Sequence, residues 1–264
     1  MLLPLKDDKP LEFIPFQLVT AAIVAICVVT FVFQASLPGR AEAAFVYGFG
    51  LIPSVLWGDR ALPDELFVLP AWLNLFTSMF LHGSWWHLLG NMLFLWVFGD
   101  NVEDATGHVK FLVFYLVCGI AGSLAHAGLA PGSDAPMIGA SGAISGVIGA
   151  YLMLHPRAKV WCLLFFKIPL KLPSVLLIGA WIGFQFYNIA VATDDGTAWW
   201  AHLGGLAAGV VLIPFMKHRQ VLLFDRRPAP ETVAPPPLAE PPRGDSGSSR
   251  IPDSGGRRGP WRNP

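Results

Sequence analysis

Residues 137–155 read MIGASGAISGVIGAYLMLH, an apolar run that is punctuated by glycine and serine. Its length falls in the range of ~17–25 residues that a helix needs to cross a bilayer. Polar residues in such a helix usually face the interior of a bundle or a water-filled cavity, because lipid offers them no hydrogen bonds. The stretch therefore predicts a buried helix of a membrane protein.

The composition of the whole chain agrees with this prediction. Of its 264 residues, 54% are hydrophobic and 14% are charged, whereas a soluble domain carries roughly 25% charged residues. The formal net charge is zero, which argues against the basic footprint of a nucleic-acid-binding protein. Cys27, Cys118 and Cys162 lack a paired spacing that would indicate a disulfide or a zinc site.

Six stretches are apolar enough to be membrane spans. They predict an all-α, polytopic membrane protein whose core is a bundle of six transmembrane helices. The stretches are 15–37, 84–102, 108–130, 137–155, 174–191 and 199–216. The first could also be a signal peptide that ends near Ala41-Glu42-Ala43. Its apolar run is longer than the core of about 7–15 residues that signal peptides carry, so we expect an uncleaved helix.

The basic residues predict how the bundle is oriented. If the N-terminus is cytoplasmic, only Arg40 and Arg60 fall in outside segments. The basic residues of the inside segments include Lys6, Lys9, Arg157, Lys159, Lys167, Lys171, Lys217, Arg219, Arg226 and Arg227. The positive-inside rule then places both termini in the cytoplasm. Asp100, Glu103 and Asp104 end the second span, where we expect them to be solvated or paired at the inner surface.

Three segments make up the predicted domain organisation. They are a short cytoplasmic N-terminus at 1–14, a six-helix domain at 15–219, and a cytoplasmic tail at 220–264 whose proline and glycine content predicts disorder. Within the domain, the aromatic-rich segment 38–83 lacks a span-length run, which favours an insertion in the outer leaflet. Residues 160–166 have the composition of a strand, but a strand cannot cross a membrane alone, so they belong to an inner connector.

Three polar motifs interrupt the apolar helices. His82, His87 and Asn91 lie on the second span, and His87 and Asn91 are four apart, so they share one helix face. Gly139-Ala140-Ser141-Gly142 opens the fourth span, and Ala201-His202-Leu203-Gly204-Gly205 opens the sixth. In the predicted topology all three motifs lie on the order of 10 Å below the outer surface. Three separate segments thus deliver polar groups to one layer of the membrane.

Small residues indicate which helices approach each other closely. Ser141, Ser145 and Gly149 repeat every four residues, and Gly205 and Gly209 do the same on the sixth span. Such faces let membrane helices pack with their backbones close together. The fourth and sixth helices are therefore expected to be neighbours, as a serine–histidine pair would require. Ordinary glycine packing without catalysis would leave the same pattern.

A serine and a histidine in this layer are suited to nucleophilic catalysis. Serine is a weak nucleophile until a base takes its proton, and histidine can be that base. The oxyanion of the intermediate needs donors, for which the backbone N–H of Ser141, the His87 ring and the Asn91 amide are candidates. The sequence offers no aspartate at this depth, which favours a dyad of Ser141 and His202 over a triad.

These motifs resemble those of the rhomboid family of intramembrane serine proteases. Gly139-Ala140-Ser141-Gly142 is similar to its Gly-x-Ser-Gly, and Ala201-His202 with Gly205 and Gly209 is similar to its Ala-His-x-x-Gly-x-x-x-Gly. His87-x-x-x-Asn91 matches its oxyanion-stabilising pair, and His82 matches a further histidine upstream. The resemblance extends over about residues 70–215. It assigns Ser141 and His202 as catalytic, His87 and Asn91 as oxyanion-stabilising, and the remaining motif residues as supporting; these are His82, Gly139, Gly142, Ser145, Gly205 and Gly209.

The resemblance implies a bacterial-type, six-helix rhomboid in the inner membrane whose active site faces the outer side. It implies hydrolysis of peptide bonds in or next to transmembrane helices, without cofactor or metal. The partners would be membrane lipid and transmembrane substrates that enter laterally past the fifth span. Residues 192–200 would then cap the site, and nucleic acid is not expected as a partner. The oligomeric state and the physiological substrate are left open.

Two departures from the family pattern and three rival readings remain. Ser145 stands where many members carry an aromatic ring against the histidine, so either another ring supports His202 or the stacking is absent. The segment 38–83 lacks a clear match to the family's Trp-Arg pair; residues 57–60, Trp-Gly-Asp-Arg, resemble it only loosely. The rivals are a metal site at His82, His87 and His202, a catalytically dead client-binding relative, and a transporter, which would usually show repeats or a charged pathway.

Overall fold

The structure, a computed structural model, describes residues 2–164, 167–191 and 196–225. The helices in chain order are α1 (Leu18–Ser36), α2 (Gly39–Phe49), α3 (Pro53–Leu56), α4 (Asn74–Thr77), α5 (Trp85–Thr106), α6 (His108–Leu129), α7 (Ser141–Leu154), α8 (Ser174–Ala190) and α9 (Trp199–Met216). Most of the predicted tail at 220–264 and part of the predicted cap at 192–200 lie outside the described residues.

Long helices lie at each of the six predicted stretches, and the prediction of a helical membrane fold is confirmed. Among the described residues, α1, α6 and α9 are long and apolar enough to cross a membrane, while α7 and α8 are apolar but shorter. Large apolar side chains lie exposed on the outward faces of the helices, such as Val29, Val211 and Phe215. Exposed apolar faces of this kind suit contact with lipid rather than water.

A small sheet accompanies the helices and was not predicted. It has the strands β1 (Leu2–Asp7), β2 (Lys159–Leu164) and β3 (Ile168–Pro173), which pair antiparallel in the order β1-β2-β3. The sequence indicated strand composition at 160–166, of which 165–166 lie outside the described residues. It did not reveal that the N-terminal segment supplies a partner strand, because pairing between residues 2–7 and 160–164 is a long-range contact.

Asp7 connects this sheet to the helix that begins at Ser141. The hydroxyl of Tyr151 on α7 donates a hydrogen bond of 2.5 Å to Asp7 Oδ2, and Asn101 Nδ2 on α5 donates to the same oxygen at 3.1 Å. Burial raises the pKa of the Asp7 carboxyl to about 6, against the lowering effect of its hydrogen bond from Tyr151. The C-terminal ends of α5 and α7 are therefore held to the N-terminal strand by a partly buried polar contact.

The acidic residues at the end of α5 are paired rather than solvated. Glu103 is fully buried, and its two carboxylate oxygens accept hydrogen bonds of 2.8 Å from the backbone N–H groups of Val19 and Thr20. Glu103 also contacts His108 Nδ1 at 2.5 Å. Because the first N–H groups of a helix have no intrahelical acceptor, this carboxylate caps α1 from a distant part of the chain. Asp104 likewise accepts hydrogen bonds from the segment that precedes α1, at the backbone N–H groups of Glu12, Phe13 and Ile14.

Glycines bring the backbones of α6, α7 and α9 into contact. A Cβ on Gly205 would collide with the carbonyl oxygen of Gly142, and a Cβ on Gly209 would collide with that of Gly146. A Cβ on Gly122 of α6 would lie 2.6 Å from the carbonyl oxygen of Ala201. The α7 residues that meet the α9 glycines are thus Gly142 and Gly146, each one position after Ser141 and Ser145. The two serines lie beside this contact because successive helix residues point about 100° apart.

Replacing Gly209 by alanine should lower the stability of the helix bundle by about 1–3 kcal/mol, the cost of overpacking a tight contact. The added methyl group would meet the carbonyl oxygen of Gly146, and this atom can move only if α7 shifts. Unfolding in detergent, followed by circular dichroism, would measure the change. The matched control is Gly179→Ala on α8, where an added Cβ meets nothing within 4 Å. Equal stability of the two variants would contradict the packing described here.

Candidate functional site

Seven of the ten predicted site residues line one cavity of 840 Å³. Helices α5, α6, α7, α8 and α9 contribute to its wall, together with the loop that precedes α7. The seven are His87, Asn91, Gly139, Ser141, Gly142, Ser145 and His202. His87 and His202, which are 115 positions apart along the chain, thus line the same cavity. Side chains must share a cavity in this way to act on one substrate.

The other three predicted residues lie outside the cavity wall. Gly205 and Gly209 lie at the contact between α7 and α9, where their lack of a side chain lets the two helices approach. His82 is fully buried behind His87, and the two rings meet edge to face with their centroids 5.1 Å apart. His82 therefore supports a neighbouring ring rather than contacting a ligand in the cavity.

The segment at 38–83 positions the loop that precedes Ser141. Leu51 and Met137 exchange two backbone hydrogen bonds, of 3.0 and 2.7 Å, in an isolated antiparallel bridge. Two residues later, the N–H of Gly139 donates to the carbonyl oxygen of Ser78 at 2.9 Å. The loop before α7 is consequently held on both sides by backbone from the 38–83 region. No motif in the sequence signalled these contacts, because backbone groups pair irrespective of side chain.

Gly139 makes room for the His87 ring. Its φ of +124° is a conformation that side-chain-bearing residues rarely adopt, and a Cβ there would lie 2.7 Å from both Cε1 and Nε2 of His87. On the other side of the ring, the N–H of Gly83 donates to His87 Nδ1 at 3.3 Å. Since a neutral imidazole has one acceptor and one donor nitrogen, this contact assigns the hydrogen to Nε2. The Nε2–H therefore points toward the backbone just before Ser141.

Asn91 reaches the same place from one turn further along α5. Its side chain is 9% exposed, and its Nδ2 has no hydrogen-bond partner among the described residues. A Cβ on Gly139 would lie 3.7 Å from that Nδ2, which places the amide beside the ring of His87. A buried N–H group without an acceptor is costly in a folded protein and often marks a site that awaits a ligand. His87 and Asn91 together offer two donors at one point in the cavity.

The ring of His202 is supported from α8 and from its own helix. The ring centroid of Trp181 lies 6.1 Å from that of His202 at an interplanar angle of 33°, and that of Trp199 lies 5.8 Å away at 86°. Aromatic partners other than position 145 thus flank the histidine, which resolves the alternative that the sequence left open. Ser145 instead donates its hydroxyl to the backbone carbonyl oxygen of Ser141 at 2.6 Å.

Gln185 completes the surroundings of His202. Its Oε1 lies 2.8 Å from Nδ1 of the imidazole, and its side chain is 1% exposed. Sequence reasoning missed Gln185, Trp181 and Trp199, because no spacing rule links α8 to a ring on α9. Trp181 and Gln185 are four residues apart, so the only available signal was that they share one face of their helix.

Comparison with known proteins supplies the family. Residues 70–219 match the family model described as the Rhomboid domain, and this match covers more than half of the chain. The chain belongs to the rhomboid family. With its apolar helices it is an integral membrane protein.

Three relatives of this rhomboid are informative. Rhomboid protein 1, mitochondrial, from Saccharomyces cerevisiae is 36% identical over 150 residues, which are 53% of this chain and 40% of the relative. RHOMBOID-like protein 1 from Arabidopsis thaliana is 32% identical over 169 residues, or 62% of this chain and 39% of the relative. Rhomboid protease GluP from Bacillus subtilis is 35% identical over 152 residues, or 56% and 27%. The chain spans less than half the length of each of these relatives.

Gly139→Ala in this rhomboid should displace the His87 ring, because the new methyl group and the ring would occupy the same space. The positive φ adds backbone strain that favours a rearranged loop. A crystal structure of the variant would measure the ring displacement. Gly132→Ala is the control in the same loop, since an added Cβ there meets nothing within 4 Å and its φ is ordinary. An unmoved His87 ring in Gly139→Ala would contradict the close approach.

Proposed function

We propose that this rhomboid is an intramembrane serine endopeptidase that hydrolyses peptide bonds in or next to transmembrane helices, with Ser141 as nucleophile and His202 as general base. The observation that carries the proposal is that Ser141 and His202, from two helices in backbone contact, line one cavity with the unpaired donor of Asn91. The name Rhomboid protease GluP of the relative from Bacillus subtilis supports the same reaction.

The proposed reaction proceeds through an acyl-enzyme. His202 takes the hydroxyl proton as Ser141 Oγ bonds to the scissile carbonyl carbon, whose π electrons move to oxygen. Collapse of this intermediate breaks the C–N bond, and the imidazolium gives its proton to the leaving amine. Water, deprotonated by His202, then attacks the ester carbon, and Ser141 leaves with the returned proton. Neither a metal nor a cofactor takes part in these steps.

Three donors would stabilise the negative oxygen. They are the Nε2–H of His87, the Nδ2 amide of Asn91, and the backbone N–H of Ser141 at the first position of α7. The positive end of the α7 dipole lies at the same place and favours an anion there. Donors that are fixed before the reaction need no reorganisation when charge develops, and this is why they accelerate acyl transfer.

The substrates we propose are transmembrane proteins that enter laterally from the bilayer past α8. The apolar side chains exposed on that helix, such as Phe184 and Phe186, suit contact with lipid or with a substrate helix. We further propose that both termini are cytoplasmic and that the cavity opens toward the outer side, from the bias of basic residues. A bacterial inner membrane is the proposed location; the relative from Saccharomyces cerevisiae is among those named as mitochondrial. The domain boundaries at 14/15 and 219/220 belong to the same proposal.

Ser141→Ala and His202→Ala should each abolish cleavage of a single-span substrate that is reconstituted with the purified protein, because each removes a group that the chemistry requires. Gel analysis of the products measures cleavage, and mass spectrometry locates the cut, which should lie near the outer end of the substrate helix. Unchanged cleavage by Ser141→Ala would refute the mechanism. A wild-type protein that cleaves no helix-destabilised substrate would point instead to a client-binding rhomboid without activity.

Asn91→Ala should lower kcat by up to about 10²–10³, the usual effect of removing one oxyanion donor. The substrate would still bind, so KM should change little. Asn101→Ala is the matched control, since Asn101 is a buried asparagine at the other end of α5 whose amide binds Asp7 and Asp100. If Asn91→Ala and Asn101→Ala both kept the wild-type kcat, Asn91 would not stabilise the oxyanion, and the donors would be His87 and the Ser141 backbone.

A further inference from the structure

One buried amide on α8 makes a hydrogen bond to the histidine of the site. Gln185 Oε1 lies 2.8 Å from His202 Nδ1, and the glutamine side chain is 1% exposed. Trp181, one turn earlier on α8, stands beside the same ring with its centroid 6.1 Å away. The imidazole is thus contacted by two side chains from one face of a helix that carries neither Ser141 nor His202.

The hydrogen bond to Gln185 determines which nitrogen of the His202 imidazole carries the hydrogen. A glutamine Oε1 can only accept hydrogen bonds, so a bond at 2.8 Å requires a hydrogen on Nδ1. In a neutral imidazole the other nitrogen, Nε2, then holds the lone pair that can accept a proton. The opposite tautomer would present an N–H group to the serine and could not deprotonate it. A residue that fixes the tautomer therefore affects catalysis without touching the substrate.

We propose that Gln185 is a positioning residue that holds His202 in the Nδ1–H tautomer and orients its ring toward Ser141, in the place that an acidic residue takes in a catalytic triad. This inference rests on the proposed function. A neutral amide suits the location, because a carboxylate that is 99% buried carries a large desolvation cost, which only pairing with a protonated His202 would offset. The amide supplies the same acceptor atom without that cost.

The position of Gln185 on α8 has a consequence for how the site is assembled. The glycine contacts between α7 and α9 set the distance between the backbones of Ser141 and His202. They do not set the rotation of the imidazole about its side-chain bonds. That rotation is limited by Trp181, Trp199 and Gln185, two of which belong to α8. A third helix is therefore needed for a productive pair.

Two substitutions at Gln185 separate positioning from simple structural support. Gln185→Leu keeps the approximate size of the side chain but removes the acceptor oxygen. It should lower kcat by about 10- to 100-fold, the effect of losing one buried hydrogen bond, with little change in KM. Gln185→Glu keeps the acceptor, so it should retain kcat within a few-fold of wild type. Its carboxylate would stabilise the imidazolium and shift the acidic limb of the kcat/KM profile to higher pH. Ser174→Ala, at the opposite end of α8, is the control, and it should leave the pH profile unchanged.

A measurement that does not depend on activity tests the tautomer directly. Nitrogen-15 NMR of histidine-labelled protein in lipid, with the His202 signals assigned by difference against His202→Ala, should show the Nδ1–H form in wild type and in Gln185→Glu. Gln185→Leu should show a mixture of the two tautomers; if this variant does not fold, the wild-type and Gln185→Glu spectra decide. An Nε2–H tautomer in wild type, or a Gln185→Glu pH profile identical to that of wild type, would overturn the inference. If wild type cleaves nothing but shows the Nδ1–H form, the proposed function fails while the contact stands.

Discussion

The backbone contact between α7 and α9 is the constraint on which the rest of the site depends. Gly205 and Gly209 leave space that the carbonyl oxygens of Gly142 and Gly146 occupy, so the two helices touch without intervening side chains. Ser141 opens one of these helices and His202 lies near the start of the other. Any larger residue at the contact would move Ser141 away from His202. In lipid, where no hydrophobic effect drives helices together, such close packing is itself a main source of association.

Other parts of the fold fix what this contact leaves adjustable. The loop before α7 is held by backbone hydrogen bonds from Leu51 and Ser78, which fixes the approach to Ser141. His87 is placed against Gly139, and the Asn91 amide lies beside it. Trp181 and Gln185 from α8 limit the rotation of His202. The loop before α7, the His87 ring and the His202 ring are thus each held by an element other than the one that carries them.

The opposite end of the bundle uses buried charge for anchoring. Glu103 and Asp104 accept five backbone hydrogen bonds from the start of α1 and the segment before it. Asp7 fastens the N-terminal strand to α5 and α7. A buried carboxylate is tolerated only when its oxygens are satisfied. The N–H groups at the start of α1 satisfy Glu103, and those of residues 12–14 satisfy Asp104. Of the two alternatives that the sequence left open for these acidic residues, solvated or paired, Glu103 and Asp104 are therefore paired.

The sequence by itself determined the helical membrane fold, the positions of the long helices and seven of the residues that line the cavity. It could do so because apolar length, small-residue spacing and motif order are properties of local stretches. The three-stranded sheet, the bridge from Leu51 to Met137 and the surroundings of His202 were decided only in the tertiary structure. These features join segments that are distant along the chain, and backbone pairing or ring contact imposes no spacing rule that a single sequence can reveal. Ser145 shows the difference, because its identity raised the question of what supports His202, and the packing of α8 against α9 answered it.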